Sequence, residues 1–514
     1  MYDKMYGACL QGIDGTIVDV EIDISNGLPY FQIVGLPDSS VKESTERVRS
    51  ALKNCGAAFP MERITVNLAP ADVRKEGASF DLAIAVGILS ASGQLVVPGL
   101  DRCLTIGELS LDGRLRPVRG VLSMVDAAKR RGMTNVLLPA ENVEEASLIE
   151  GMRIVGIPSI KELLHNKGVP IFDGAAVSRG LHNERILSNF EESHLDDFVD
   201  VCGQFQAKRA LTIAAAGLHN VLFIGPPGSG KTMLIRRLPS ILPILSNEES
   251  LEVTKIYSAA GLIPDRSKLI RHRPFRNPHH TVSMGGLVGA GIYPKPGEVS
   301  LAHRGVLFLD ELPEFPRNVL EVLRQPIEDR RVTIGRAKAV VTFPTHFMLA
   351  ASMNPCPCGY WGFPTLSASC TCSPLKVQQY RSRISGPLLD RIDLQVEVPR
   401  IDYDSMKQTS GNASSGDLRH SVMKALNRQA ARYAGTHVRF NGELTGRMLR
   451  EHCRLLPDGE KLLSEAFEAL GLSVRAHDRI LKIARTIADL DESDVIATSH
   501  LAEALQYRCL DRSL

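Results

Sequence analysis

Val221-Leu222-Phe223-Ile224-Gly225-Pro226-Pro227-Gly228-Ser229-Gly230-Lys231-Thr232 decides the fold of the middle of the chain. Four consecutive apolar residues running into glycine and proline read as a strand buried on both faces. The glycines that follow let the backbone curl so that successive N–H groups face inward, the geometry that cradles phosphate oxygens. The spacing Gly225-x4-Gly230-Lys231-Thr232 places Lys231 to reach the β- and γ-phosphates of a nucleotide and the Thr232 hydroxyl to join a Mg2+ shell. A helix opening at this point turns its positive end toward the anion. A chance glycine-rich turn would not combine a preceding strand with a complete Gly-Lys-Thr ending.

Two further strands end in polar groups suited to the same chemistry. Val306-Leu307-Phe308-Leu309 runs into Asp310-Glu311. Asp310 suits the Mg2+ shell and Glu311 suits polarisation of an attacking water. Phe347-Met348-Leu349-Ala350-Ala351-Ser352 ends near Asn354, a polar side chain fitted to touch a γ-phosphate or orient the water. Farther on, Arg391 stands in Leu388-Leu389-Asp390-Arg391-Ile392-Asp393. On its residues alone, an arginine flanked by acids reads as a surface ion pair as well as a catalytic group.

With 514 residues, 44% of them hydrophobic, the chain has material for about three domains. The net charge of +2 argues neither for nor against nucleic acid, so any binding must come from local clusters. No apolar stretch reaches membrane-spanning length, and Met1-Tyr2-Asp3-Lys4-Met5-Tyr6 is not a signal peptide. A cytoplasmic protein without a membrane partner is expected. Six cysteines, Cys9, Cys55, Cys103, Cys202, Cys453 and Cys509, stand singly, which suits a reducing compartment.

Along the chain, residues 1–165 read as one mixed α/β domain, with period-two alternation over Gly15–Ile24 and an apolar helix over Asp81–Ser90. Residues 166–195 read as a linker rich in Gly, Ser, Asn and charge. Residues 196–400 alternate strands with helices, as a nucleotide-binding parallel sheet does. Residues 401–417 read as a flexible link, and 418–514 as helical throughout, with Ile480, Ile483, Ala484 and Ile487 at helical spacing. The expected fold class is α/β multidomain.

This motif order resembles an AAA+ ATPase module: phosphate loop, Asp310-Glu311 strand, Asn354 strand, Leu388-Leu389-Asp390-Arg391, helical tail. Phe275-Arg276-Asn277-Pro278-His279-His280-Thr281, Pro296-Gly297-Glu298-Val299-Ser300-Leu301 and Arg383-Ile384-Ser385-Gly386-Pro387 resemble its magnesium-chelatase-like branch. The chain as a whole resembles the ComM/YifB family, whose ComM members are hexameric helicases driving branch migration in natural transformation. The resemblance implies ATP and Mg2+ as cofactors, with Lys231, Thr232, Asp310 and Glu311 as the Walker residues and Asn354 as sensor 1. It makes Arg391 an arginine finger that completes a neighbouring subunit's site, and Arg475, in Ser473-Val474-Arg475, a sensor 2. Read without the family, Arg475 is a surface arginine at a helix start. A finger in trans demands head-to-tail contacts, which close into a ring. DNA and recombination proteins are the implied partners.

Two basic stretches are candidates for DNA contact. One is Asp265–Arg276. The other, Arg330–Thr342, reads as strand, tight glycine turn, strand, with Arg336 and Lys338 at the tip. In the related minichromosome-maintenance helicases a hairpin before sensor 1 enters the ring pore, where cations grip phosphates without reading sequence. A solvated hairpin and a subunit-contact patch are the plain alternatives. Met284–Gly291 resembles the family's helix-2 insertion, although its composition alone says loop.

Cys356-Pro357-Cys358-Gly359 and Cys370-Thr371-Cys372 gather four thiols. They suit a closed tetrahedral Zn2+ site, reduced thiols in an ordered loop, or redox chemistry. In residues 1–165, Glu76-Gly77-Ala78-Ser79-Phe80-Asp81 resembles the nucleophile loop of Lon proteases, a fold of the ribosomal S5 domain 2 type. The position matching the Lon lysine is apolar, near Leu122, so a Lon-like domain without peptidase activity is expected. Rival functions are a chelatase-type motor acting on a protein partner and an ATP-dependent protease. The N-terminal block weighs against the chelatase motor, because such subunits generally lack it.

Overall fold

The computed structural model describes residues 1–165, 172, 196–291, 294–336, 339–363, 369–401 and 413–508. Its residues divide into two compact units, Met1–Phe190 with Asn247–Ile270, and Glu191–Ser246 with Arg271–Leu514.

In the second unit, Val221–Ile224 is a strand with all four residues buried. It belongs to a five-stranded parallel sheet in the order Phe275–Arg276, Val306–Leu309, Met348–Met353, Val221–Ile224, Leu394–Glu397. Strands covered on both faces are continuous apolar runs, which is why these were legible in the sequence. The register aligns their carboxyl ends. Ile224 lies opposite Met353 and Glu397, and Leu309 opposite Ala351. The phosphate loop, Asp310 and Asn354 therefore leave the sheet along one edge, where parallel α/β sheets bind ligands.

The C-terminal helices share a core with this sheet. Ile480, Ile483, Ala484 and Ile487 of the helix Val474–Leu490 are fully buried in the same cluster as Val221, Phe223 and Leu394. The first helix of this region spans Ser415–Arg432 and begins inside the stretch that composition assigned to a link. Ser414 caps it by accepting from the Asp417 amide, and the Asp417 carboxylate accepts from the Ser414 amide. This reciprocal pair satisfies two otherwise orphaned donors.

The first unit is built on a seven-stranded mixed sheet in the order Tyr30–Val34, Arg63–Ala69, Asp14–Ser25, Tyr2–Gln11, Cys103–Thr105, Asn135–Pro139, Arg153–Ile157. The helix Asp81–Ala91 is buried almost all round. Tyr2–Gln11 was not legible as a strand, because Asp3 and Lys4 break its apolar alternation. It pairs antiparallel with Asp14–Ser25 along its whole length.

Asn247–Ile270 lies in the sequence between two strands of the nucleotide-binding sheet, yet it belongs to the first unit. Its helix, Asn247–Ala260, places Lys255 Nζ 2.5 Å from Asp126 Oδ2 and Ser258 Oγ 2.5 Å from Glu145 Oε1. Leu251 and Leu269 pack on an apolar core formed by Val121, Leu122, Val125 and Leu138. Where the chain leaves and returns, the Leu245 amide donates to the Arg271 carbonyl at 3.0 Å. Asp126 Oδ2 is also held by Arg130 at 2.8 Å, so losing Lys255 leaves the carboxylate one partner. Lys255→Ala should therefore cost about 2 kcal/mol, as for one hydrogen bond to a charged group, read as lost hydrogen-exchange protection in residues 121–130 and 247–260. Unchanged protection there would mean the pair contributes nothing.

Candidate nucleotide site

The phosphate loop is shaped by residues that need glycine. Gly228 and Gly230 have φ of 75° and 88°, in the left-handed region. A Cβ on Gly225 would lie 2.1 Å from the Val398 carbonyl oxygen, so no side chain fits there. Lys231 opens the helix Lys231–Arg236. Its ammonium donates to the Gly225 and Pro226 carbonyls at 2.7 and 2.9 Å and to Asn354 Oδ1 at 3.2 Å. Burial pushes its pKa down to about 8, against the pull of Asp310 and Glu311. The loop is exposed at Pro227 and Gly228 and buried at Ser229.

Thr232 Oγ1 donates to Asp310 Oδ2 at 2.9 Å. The other Asp310 oxygen accepts from the Ser352 hydroxyl and, at 3.1 Å, from the Glu311 amide. A hydroxyl and a carboxylate held side by side are hard oxygen donors of the kind Mg2+ takes. Glu311 is exposed, with φ of 54°, an uncommon conformation for a non-glycine residue. Its amide also lies 3.3 Å from Ser352 Oγ, which helps hold that turn.

The structure brings together Lys231, Thr232, Asp310 and Asn354, with Glu311 adjoining them. Arg391 is not bonded to this group. Its guanidinium donates to the Pro387 carbonyl at 2.7 Å and pairs with Glu328. Arg475 is exposed at the second position of its helix. One turn farther along, Arg479 Nε lies 3.0 Å from Asp393 Oδ1.

The roles of three residues of this region escaped the sequence reading. Ser352 orients Asp310, and Asn220 and Asp393 link the sheet to the Arg391 segment. Asn220 Oδ1 accepts from the Leu349 amide at 2.8 Å, and its Nδ2 donates to the Arg391 carbonyl at 2.9 Å. Its backbone amide donates to Asp393 Oδ2 at 2.8 Å. The only signal available was a polar residue at the end of an apolar run.

The sulfurs of Cys356, Cys358, Cys370 and Cys372 all lie within 4.8 Å of one another. The shortest separations are 3.3 Å for Cys356–Cys358 and 3.5 Å for Cys358–Cys370. A tetrahedron with Zn–S bonds of about 2.3 Å has edges of about 3.8 Å, so the four thiols fit that metal. The Tyr360 and Thr371 amides hold the Cys358 thiol down, to about 6.

Arg331–Arg336 and Ala339–Pro344 form the expected hairpin, in register from Arg331↔Pro344 to Arg336↔Ala339. Gly335 is opposite Val340 inside the ladder, which corrects the expectation of a turn at that glycine. Lys338 and the Arg336 side chain lie outside the described residues. The other basic stretch is largely spoken for. Arg273 donates to the Pro243 and Arg304 carbonyls at 2.8 and 2.7 Å, and Arg276 forms a two-pronged pair with Glu298. Lys268 lies 3.4 Å from Asp265. Met284–Val288, read as loop, is a short helix capped by Ser283. In the N-terminal domain the Ser79 hydroxyl is buried and donates to the Ala8 carbonyl at 2.9 Å, an acceptor that cannot serve as a base.

Sheet, phosphate loop and paired Thr232–Asp310 define a magnesium-chelatase-like AAA+ module. Residues 197–406 match the family model described as magnesium chelatase, subunit ChlI, and 412–508 match its C-terminal counterpart. Residues 20–142 match a model described as subunit ChlI of Mg-chelatase. The chain is 43% identical to competence protein ComM of Haemophilus influenzae, over 99% of its own length and 98% of that protein's. It is 42% identical to YifB of Escherichia coli, an uncharacterized protein, over 98% of this chain and 96% of that one. It belongs to the ComM/YifB family. A partial likeness, 27% identity over 29% of the chain, links it to Lon protease 2 of Bacillus subtilis. Among the described residues no helix is long and apolar enough to cross a membrane.

The depressed Lys231 pKa has a measurable consequence. Phosphates favour the charged ammonium, so ATP binding should take up a proton once the free site begins to deprotonate, and affinity should fall as pH rises through about 8. Calorimetry at pH 8.5 in buffers of different ionisation enthalpy should give different apparent heats. Buffer-independent heats would contradict the buried, neutralisable lysine.

Proposed function

We propose that this chain forms a hexameric ring that hydrolyses ATP between subunits and drives DNA branch migration of recombination intermediates, as in integration of DNA during natural transformation. The observation carrying this reading is end-to-end similarity to a protein named competence protein ComM, together with the nucleotide site. The working place would be the cytoplasm, with branched or single-stranded DNA, read without regard to sequence, and recombination proteins as partners.

MgATP, when bound, supplies the electrophilic γ-phosphorus and the metal's neutralising charge. The loop amides of Gly225–Thr232 and the Lys231 ammonium hold phosphate oxygens. Thr232 and Asp310 would hold the metal. Glu311 polarises the attacking water and Asn354 orients it. Arg391 makes no bond to its own subunit's loop, which supports a role as the finger of the next subunit, and Arg475 acts as sensor 2. Arg336 and Lys338, on the hairpin, would grip DNA phosphates. The four-cysteine cluster would hold a structural Zn2+, with no position left open for catalysis. The magnesium-chelatase names of the matching family models favour one second reading, a motor remodelling a protein partner.

A labelled four-way junction given to the purified protein with ATP separates the two. Strand displacement and DNA-stimulated turnover are expected; turnover indifferent to DNA, with the junction intact, would sink the helicase reading. Lys231→Ala should abolish nucleotide binding, whereas Glu311→Gln should bind ATP without turning it over. Arg391→Ala should bind ATP normally and lose about 10³-fold or more in hydrolysis. Parental turnover in that variant would rule out the finger. Arg336→Ala with Lys338→Ala should flatten the salt dependence of DNA binding by roughly one phosphate contact per lost cation.

A further inference from the structure

Gly359 is buried, with φ of 88°. A Cβ there would lie 2.5 Å from Pro227 Cδ and 2.8 Å from Pro227 Cγ. The turn of the Cys356–Gly359 segment thus lies directly against the phosphate loop. Two residues before Cys356, Asn354 Oδ1 accepts from Lys231 Nζ at 3.2 Å. The intervening Pro355 carbonyl accepts from Arg381 Nε at 3.4 Å. Residues 354–359 therefore meet the loop twice, at its lysine and at its second proline, and carry two of the four thiols.

Backbone amides are aimed at the sulfurs. Trp361 N–H donates to Cys356 Sγ at 3.3 Å and Cys372 N–H to Cys370 Sγ at 3.4 Å. Cys356 is fully buried, while Cys358, Cys370 and Cys372 are half-buried. The cluster is thus packed most tightly at Cys356, its member nearest Asn354.

We propose that the metal in the four-cysteine site braces the phosphate loop, so that nucleotide affinity depends on metal loading. The proposal rests on the Zn2+ assignment above. Cross-linking 356–358 to 370–372 restricts the conformations open to the segment. With the cross-link in place, Gly359 stays against Pro227 and Asn354 stays on Lys231. Once it is lost, both contacts have freedom to open, and the loop loses its wall on that side. The metal acts on binding rather than on chemistry, because four thiolates fill its coordination.

The test uses the full chain with a fluorescent ADP analogue. Metal content is measured by mass spectrometry, and affinity is measured before zinc removal, after removal by a zinc-selective chelator, and after adding Zn2+ back. About one zinc per chain is expected. Removal should weaken the analogue roughly tenfold and re-addition should restore it. Gly359→Ala keeps all four thiols, so it should retain zinc yet show a similar loss, because the new methyl displaces Pro227. Circular dichroism confirms that each sample is folded. Zinc that can be removed without changing affinity, or Gly359→Ala with parental affinity, would overturn the bracing while leaving the Zn2+ assignment intact. A folded native chain with four free thiols and no zinc would overturn both.

Discussion

Asp310 holds the nucleotide site in one piece. It ends one strand, takes the hydroxyl of Ser352 from the neighbouring strand, and takes the hydroxyl of Thr232 from the helix after the phosphate loop. Three separate segments are thereby fixed by one carboxylate, at the edge where the parallel register brings their ends level. Preorganisation of this kind keeps oxygen donors in place before a ligand arrives, so that little reorganisation remains to be done on binding. The glycines of the loop contribute by admitting backbone where any side chain would collide, as Gly225 does against Val398.

A second network extends the same logic into the helical domain. Asn220, directly before the strand Val221–Ile224, bonds to Leu349, Arg391 and Asp393, and Asp393 pairs with Arg479. Movement of the Arg391 segment is thus mechanically tied to the sheet and to the helix that begins with Val474 and Arg475. Each connection is a bond of ordinary length at a half-buried place, where water competes less than at the open surface.

What the sequence disclosed follows from how each signal is encoded. The strands and the phosphate loop were readable because burial on both faces writes a contiguous apolar run, and a tight phosphate turn writes glycine at fixed spacing. The helix Val474–Leu490 was readable from its apolar stripe. Ser352, Asn220 and Asp393 were not, because their roles depend on the register of strands far apart in the chain. Tyr2–Gln11 was missed because its charged start hides a strand stabilised by its long partner. The pattern of Asn247–Ala260 shows that the helix buries a face, but no pattern says against which core. Gly335 was taken for a turn, yet it sits within a ladder that continues past it.

That helix also fixes where the chain can be divided. The stretch from 196 onward looks like a natural starting point for an isolated nucleotide-binding unit. A chain cut back to that residue would still carry Asn247–Ile270, but without the surface that covers Leu251 and Leu269 and without Asp126 opposite Lys255. It would expose an apolar patch and a cation that is otherwise buried, the combination expected of a sticky, poorly soluble fragment. The N-terminal residues therefore cover a stretch of sequence that lies between two strands of the nucleotide-binding sheet.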